Sequence, residues 1–237
     1  MARLKAVLFD LGGTLMEEEG DRSAKVAALA AVNARFGIPR SGEETFRWFL
    51  KDLGPYFAGQ SERRVPIREH LRRNFVEYLH ENGHAATDED CAWFESTYDR
   101  MHAERCRLFP DAIPALHRAR ATGLHVGLLT DVDEKFVRVI LKAVHLAPLF
   151  DSVTTSEAVG VGKPNPRIFR AALARAKCAP GEAVLVGDSR TRDVAGAKAV
   201  GMLTLHLHRT GERDPAADFA ARTLTEAGDV LQGLLDG

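Results

Sequence analysis

Residues 5–15 read KAVLFDLGGTL, an apolar run that stops at Asp10 and is followed within two positions by a glycine pair. A strand with one face in water alternates apolar and polar residues. An unbroken run instead marks a strand covered on both faces, as in a parallel sheet between helical layers. Similar runs recur at 125–129 (HVGLL), 152–154 (SVT), 183–186 (AVLV) and 203–207 (LTLHL). Between them lie stretches with helical spacing, at 113–122, 134–144, 166–176 and 192–200. The first and last of these stop at Gly123 and Gly201, and a glycine just past a periodic stretch is a helix stop signal. Strands alternating with helices predict an α/β fold with right-handed crossovers, a doubly wound, Rossmann-like parallel sheet.

The stretch from 17 to 105 has a different grain: helix follows helix, with no strand pattern. Ser41-Gly-Glu-Glu44 has the form of a capping box before an aromatic-rich helix, Pro66 suits the first turn of a helix ending near Asn82-Gly83, and Thr87 can cap another. The expected organisation is a core domain of residues 1–16 and 106–237, with a smaller all-α domain of residues 17–105 inserted after the first strand. Beyond Gly211 only a last helix near 224–235 is predicted. No internal repeat or low-complexity segment is found.

The 237 residues are 45% hydrophobic and 27% charged, ordinary for a protein with a sizeable core. With 32 basic and 33 acidic side chains the net charge is −1, so no global field favours nucleic acid or an acidic membrane, and anion recognition has to be local. Neither a signal peptide nor a membrane span is read from the apolar runs, and a cytoplasmic location is expected. Three cysteines with no CxxC spacing are expected to be reduced. Arg63, Arg64, Arg68, Arg72 and Arg73 form a basic stripe, expected to be a solvated helix face rather than a site for a second substrate anion. No aromatics are interleaved with it as a nucleic-acid surface would require. His206 and His208 share a strand face and, without a third ligand, are not expected to hold a metal.

Four polar segments each follow one of the predicted strands. In an open parallel sheet ligands bind beyond the carboxyl ends of the strands, so Asp10, Thr130, Lys163 and Asp188 should converge on one crevice. Asp10 can attack phosphorus as a carboxylate nucleophile, and the glycines after it allow close backbone approach. The Thr130 hydroxyl can donate to a phosphoryl oxygen. Lys163, in GKPNPRIF (162–169), can neutralise nucleophile and phosphate together. Asp188 and Asp193, in GDSRTRD (187–193), offer the oxygen ligands that suit Mg²⁺, and a helix N-cap at Asp188 or Ser189 is compatible with that role. Each segment alone has a bland reading as an ordinary turn, strand end or surface loop.

Taken in order, DLGGTL (10–15), LLTD (128–131), GKPNPRIF and GDSRTRD resemble the four signature motifs of the haloacid dehalogenase superfamily. The insert is similar to that family's helical cap. The resemblance implies a hydrolase that uses Mg²⁺ and acts on a small phosphorylated metabolite, with no nucleic acid or membrane partner, as monomer or homodimer. It makes Asp10 the nucleophile, with Thr130 and Lys163 catalytic and Thr130, Asp131, Lys163 and Gly13 binding phosphate. Asp10, Asp188, Asp193 and the backbone carbonyl of Gly12 would hold the metal.

One position departs from the pattern. Phosphatases of the superfamily carry a second aspartate two residues after the nucleophile, which protonates the leaving alcohol; here that residue is Gly12. General acid–base catalysis contributes about 10²–10⁴-fold, so a slow phosphatase is expected. A base borrowed from Glu17, Glu18 or Glu19 and a non-catalytic phospho-ligand binder are the alternatives. Dehalogenases resemble this pattern with tyrosine at the position, and phosphonoacetaldehyde hydrolases with alanine and a cap lysine, for which Lys51 is the weak candidate.

Overall fold

The computed structural model describes residues 3–52 and 66–236. Six strands form one wholly parallel sheet in the order β3-β2-β1-β4-β5-β6. They are β1 (Ala6–Phe9), β2 (His125–Thr130), β3 (Ser152–Thr155), β4 (Ala183–Gly187), β5 (Leu203–Leu207) and β6 (Phe219–Ala221). Five were legible as apolar runs. β6 was not predicted: three residues, only one of them buried, carry too little pattern. The register pairs Phe9 with Leu128 on one side and with Val186 on the other, so β1 is central and fully buried.

Alternate residues of these strands face two different layers, as the pleat requires. Val7, Phe9, Val126, Leu128 and Val184 pack with α5 (Ala112–Ala121), α6 (Glu134–Ala143) and α10 (Leu224–Asp236). Leu8, Leu129 and Leu185 pack with α8 (Pro166–Ala176) and α9 (Gly196–Ala199). A short α7 (Ser156–Val159) follows β3. The helix expected over 192–200 is instead a wide π turn at Arg190–Ala195 running into α9. The Ser189 side chain accepts the backbone N–H of Arg192 there, and Asp193 turns inward, a local polar arrangement to which apolar periodicity is blind.

The insert contains α1 (Glu18–Phe36), α2 (Gly42–Phe49), α3 (Ile67–Glu81) and α4 (Asp88–Arg105). The expected capping box forms, with Ser41 Oγ accepting from Glu44 N, and the expected cap Thr87 forms one too, its Oγ1 accepting from Asp90 N. The inner aromatics Phe75 and Phe94 stack at 4.5 Å between centroids. Tyr78, Thr45 and Asn33, all buried, satisfy one another by hydrogen bonds of 2.8–3.0 Å. Buried polar groups left unpaired cost about 1–3 kcal/mol each, so this closed set is tolerated in an apolar interior.

Insert and core are joined by backbone hydrogen bonds as well as by Tyr98 and His102 packing on Phe136. The outgoing and returning segments are zipped together, with Glu17 N–H donating to Arg107 O at 2.9 Å and Phe109 N–H to Leu15 O at 3.0 Å. On the other side, the fully buried carboxylate of Asp133, in the loop after β2, accepts the Ile67 and Arg68 backbone amides that open α3, at 3.0 and 2.9 Å. The insert therefore rests on the loop that carries Asp131 and follows Thr130 at the end of β2. Among the described residues no helix is long and apolar enough to cross a membrane.

Candidate active site

The chain leaves β1 for β2 and β3 on one side, then crosses to β4 on the other, so the topological switch lies between β1 and β4. That is where open α/β sheets bind ligands. Asp10 is the first residue past β1, and its N–H donates to Val186 O at 3.0 Å, which keeps it in line with the sheet. Asp188 is the first residue past β4. Carboxylate oxygens of Asp10, Asp188 and Asp193 lie within 4.8 Å of one another, the spacing that sharing a single ion demands.

Lys163 is clasped between two of these acids, its Nζ donating to Asp10 Oδ1 at 2.6 Å and to Asp193 Oδ1 at 2.7 Å, with all three side chains buried. The two flanking carboxylates hold the ammonium charged against its burial. Three acids around one base leave a buried negative excess. Burial pushes the Asp10 carboxyl up to about 7, against the attraction of Lys163 and with the help of Asp193 and Asp188. Asp188 is raised as well, by burial and then by Asp193. A hard divalent cation bound by carboxylate oxygens would relieve that excess, and the donor set suits one. Zinc-type ligation does not fit, because no thiol or imidazole belongs to the cluster.

The surrounding residues hold these groups in place. Gly13 adopts φ +74°, and a Cβ there would come within 2.5 Å of Asp188 Oδ2, so a side chain is disfavoured on two counts. Gly187 is constrained by space alone: a Cβ would stand 2.5 Å from Asp193 Cγ. Thr14 Oγ1 donates to Asp188 Oδ1 at 3.3 Å, and Ser189 N–H to Asp193 Oδ2 at 3.0 Å. His206 accepts the Asp214 N–H on Nδ1 at 3.0 Å, which leaves Nε2–H to donate to the Asp188 carbonyl at 3.0 Å. Sequence reasoning missed Thr14 and gave His206 no task beyond its strand. The pairing of His206 with Gly187, next to Asp188, depends on strand order and register, which local pattern does not encode.

The remaining expected residues fall as follows. Thr130 is buried at the end of β2, the strand beside β1. Asp131 Oδ1 accepts the Lys163 backbone N–H at 2.8 Å, so its carboxylate holds the lysine loop. Gly12 is exposed, and a Cβ built on it meets nothing within 4 Å. Gly13 and Asp188 open into a cleft of about 650 Å³ whose wall also includes Glu17, Arg190, His208 and Arg209. Lys51 is engaged within the insert, where it pairs with Glu77 at 2.9 Å and lies over the Trp48 ring. Of the basic stripe, Arg68 pairs with Asp99 and Arg72 with Asp88, each at 2.6 Å, while Arg63 and Arg64 lie outside the described residues. The three cysteines are free thiols.

The sequence matches the family model for haloacid dehalogenase-like hydrolases over residues 4–201, from before β1 to just past α9. The chain belongs to the haloacid dehalogenase-like hydrolase family. This hydrolase is 30% identical to a glyceraldehyde 3-phosphate phosphatase from Pyrococcus furiosus, over 99% of its own length and 94% of the relative's. It is 34% identical to a ribulose-1,5-bisphosphate 5-phosphatase from Halopiger xanaduensis, over 93% and 91%. Among solved structures, a HAD phosphatase from Thermococcus onnurineus superposes with a TM-score of 0.73 at 31% identity, over 97% of this hydrolase and 99% of that chain.

Proposed function

We propose that the protein is a Mg²⁺-dependent phosphatase of a small phosphorylated metabolite, working through an aspartyl-phosphate on Asp10. The observation that carries this reading is the cluster of Asp10, Asp188 and Asp193 around the Lys163 ammonium, at the carboxyl ends of the two central strands. A carboxylate cannot approach a phosphate dianion unless the repulsion is offset, and here Lys163 and a bound Mg²⁺ would do so. Mg²⁺ would be held by Asp10, Asp188 and Asp193 with the carbonyl of Gly12, and would supply charge neutralisation at the phosphoryl group. Thr130 and Lys163 hold that group, with the backbone at Gly13 and Asp131, while an Asp10 oxygen attacks phosphorus, the P–O ester bond breaks, and the leaving alkoxide takes its proton from solvent water. Water then cleaves the acyl phosphate and restores Asp10.

The helices of residues 17–105 act as the cap over the crevice, a role supported by the grip of Asp133 on the start of α3. With glycine at position 12 no side chain there protonates the leaving oxygen, so turnover is slow and favours esters whose alcohol leaves without help. The phosphatase names of the relatives support the substrate class. The phosphonate and C–halogen alternatives lose ground, since Lys51 is committed to an ion pair elsewhere and three clustered carboxylates suit a metal-dependent route.

The test is hydrolysis of an aryl phosphate with and without Mg²⁺ by wild type and Asp10→Asn. Expected are Mg²⁺-dependent turnover in the wild type, none in the variant, and an acid-stable phosphoryl label on the wild type alone. Equal turnover in Asp10→Asn would remove Asp10 as nucleophile.

A further inference from the structure

Arg192 has no part in the chemistry above, and its neighbours give it little structural work. It sits on the wide turn after β4, next to the buried Asp193. Its Nε lies 3.4 Å from Ser189 Oγ, and its Nη1 is 3.7 Å from Asp131 Oδ2, beyond hydrogen-bond range. Among the described residues Nη2 meets no acceptor, and 42% of the side chain is exposed. Other arginines of the molecule are engaged closely: Arg209 holds the Asp111 carboxylate and Thr14 O, Arg68 holds Asp99, and Arg120 holds Asp151.

Its position is set by the sheet order. Asp131 follows β2 and Arg192 follows β4, while β1 runs between those strands. A side chain that reaches from one loop toward the other therefore lies across the end of β1, beside Asp10. A guanidinium stays charged there at any working pH.

The charge count points the same way. Asp10, Asp131, Asp188 and Asp193 are four acids, and Lys163 is one base, which leaves three negative charges. A divalent ion reduces the excess to one, and Arg192 brings the rim to neutrality. Lys163 is already clasped by two acids, so Arg192 carries the guanidinium fork still open to an incoming anion. A planar fork matches a carboxylate through two parallel hydrogen bonds.

We propose that Arg192 determines specificity by binding a carboxylate carried by the substrate close to its phosphate ester, so that the preferred substrates are small phosphorylated carboxylic acids. The proposal rests on the phosphatase reading of Asp10.

The test compares 2-phosphoglycolate with phenyl phosphate, using Mg²⁺-loaded wild type, Arg192→Gln and Arg192→Lys. The ratio of kcat/KM for the two esters should fall about tenfold or more in Arg192→Gln, as expected for a lost charged hydrogen bond, with Arg192→Lys intermediate. An unchanged ratio, including one in which both esters slow together, overturns the proposal, because Arg192 would then serve the transferring phosphoryl group or nothing. If the wild type turns over neither ester, the phosphatase reading fails and calorimetric titration decides the matter for Arg192. Tighter binding of 2-phosphoglycolate that disappears in Arg192→Gln supports the proposal, and equal or absent binding of the two esters sinks it.

Discussion

Gly12→Asp should convert a slow enzyme into a faster one, and the structure bounds the gain. A Cβ at this position meets no atom within 4 Å, and the backbone is outside the left-handed region that favours glycine, so the aspartate enters without strain. Removing a glycine's freedom from the unfolded chain stabilises such sites by about 0.4–1 kcal/mol, so folding should not suffer. General acid–base catalysis contributes about 10²–10⁴-fold, or roughly 3–5 kcal/mol of barrier. Against this stands the ordering of one exposed side chain, on the order of 1 kcal/mol, together with a fifth negative charge near Asp10, Asp131, Asp188 and Asp193. A net gain of about 10–10³-fold follows. The assay is steady-state hydrolysis of paired esters, p-nitrophenyl phosphate and an alkyl phosphate, at saturating Mg²⁺. The alkyl ester should gain more, because its alcohol depends on a proton donor to leave. Failure to gain, or an equal gain on both esters, would refute the assignment of position 12 as the vacant acid.

Two further outcomes are expected. Asp10 in the metal-free protein titrates at about 7, against an ordinary 3.8, so its contribution to stability is complete below 3.8 and is lost as pH rises through about 7. Thermal melts in chelator from pH 5 to 8 should show this slope in wild type, and Asp10→Asn should flatten it; an unaltered slope would assign the titration to another group. Gly13→Ala places a methyl against Asp188 Oδ2 at a backbone φ of +74°, so it should cost about 1–2 kcal/mol of strain. It should also reduce the rise in Tm on adding Mg²⁺, read by the same melts, and a full Mg²⁺ response would show that the Asp188 carboxylate can move aside.

The sheet was legible because burial on both faces imprints unbroken apolar runs, and β1, β2, β4 and β5 all carry them. β6 escaped for the converse reason, being short and half-exposed at the sheet edge. The acids and the lysine were legible because each stands just past a strand or in a glycine-marked loop, and the fold class alone sends such positions to one crevice. What escaped was the support around them. Thr14 and His206 act on Asp188 across 174 and 18 residues of sequence, and Asp133 caps a helix 66 residues away. Hydrogen bonds between distant segments leave no periodicity to read. The π turn escaped because its driving contact, Ser189 with the Arg192 amide, is polar and local.

The zipped pair of segments at residues 15–17 and 107–109 has a mechanical consequence. One of its plies runs straight back into the turn that carries Gly12 and Gly13, where Gly13 N–H donates to Met16 O at 2.9 Å. A torque on the helical insert is thus delivered to the nucleophile's own turn within a handful of bonds, with little slack to absorb it. Swinging the insert and aiming the Asp10 carboxylate are, in this chain, two ends of the same short lever.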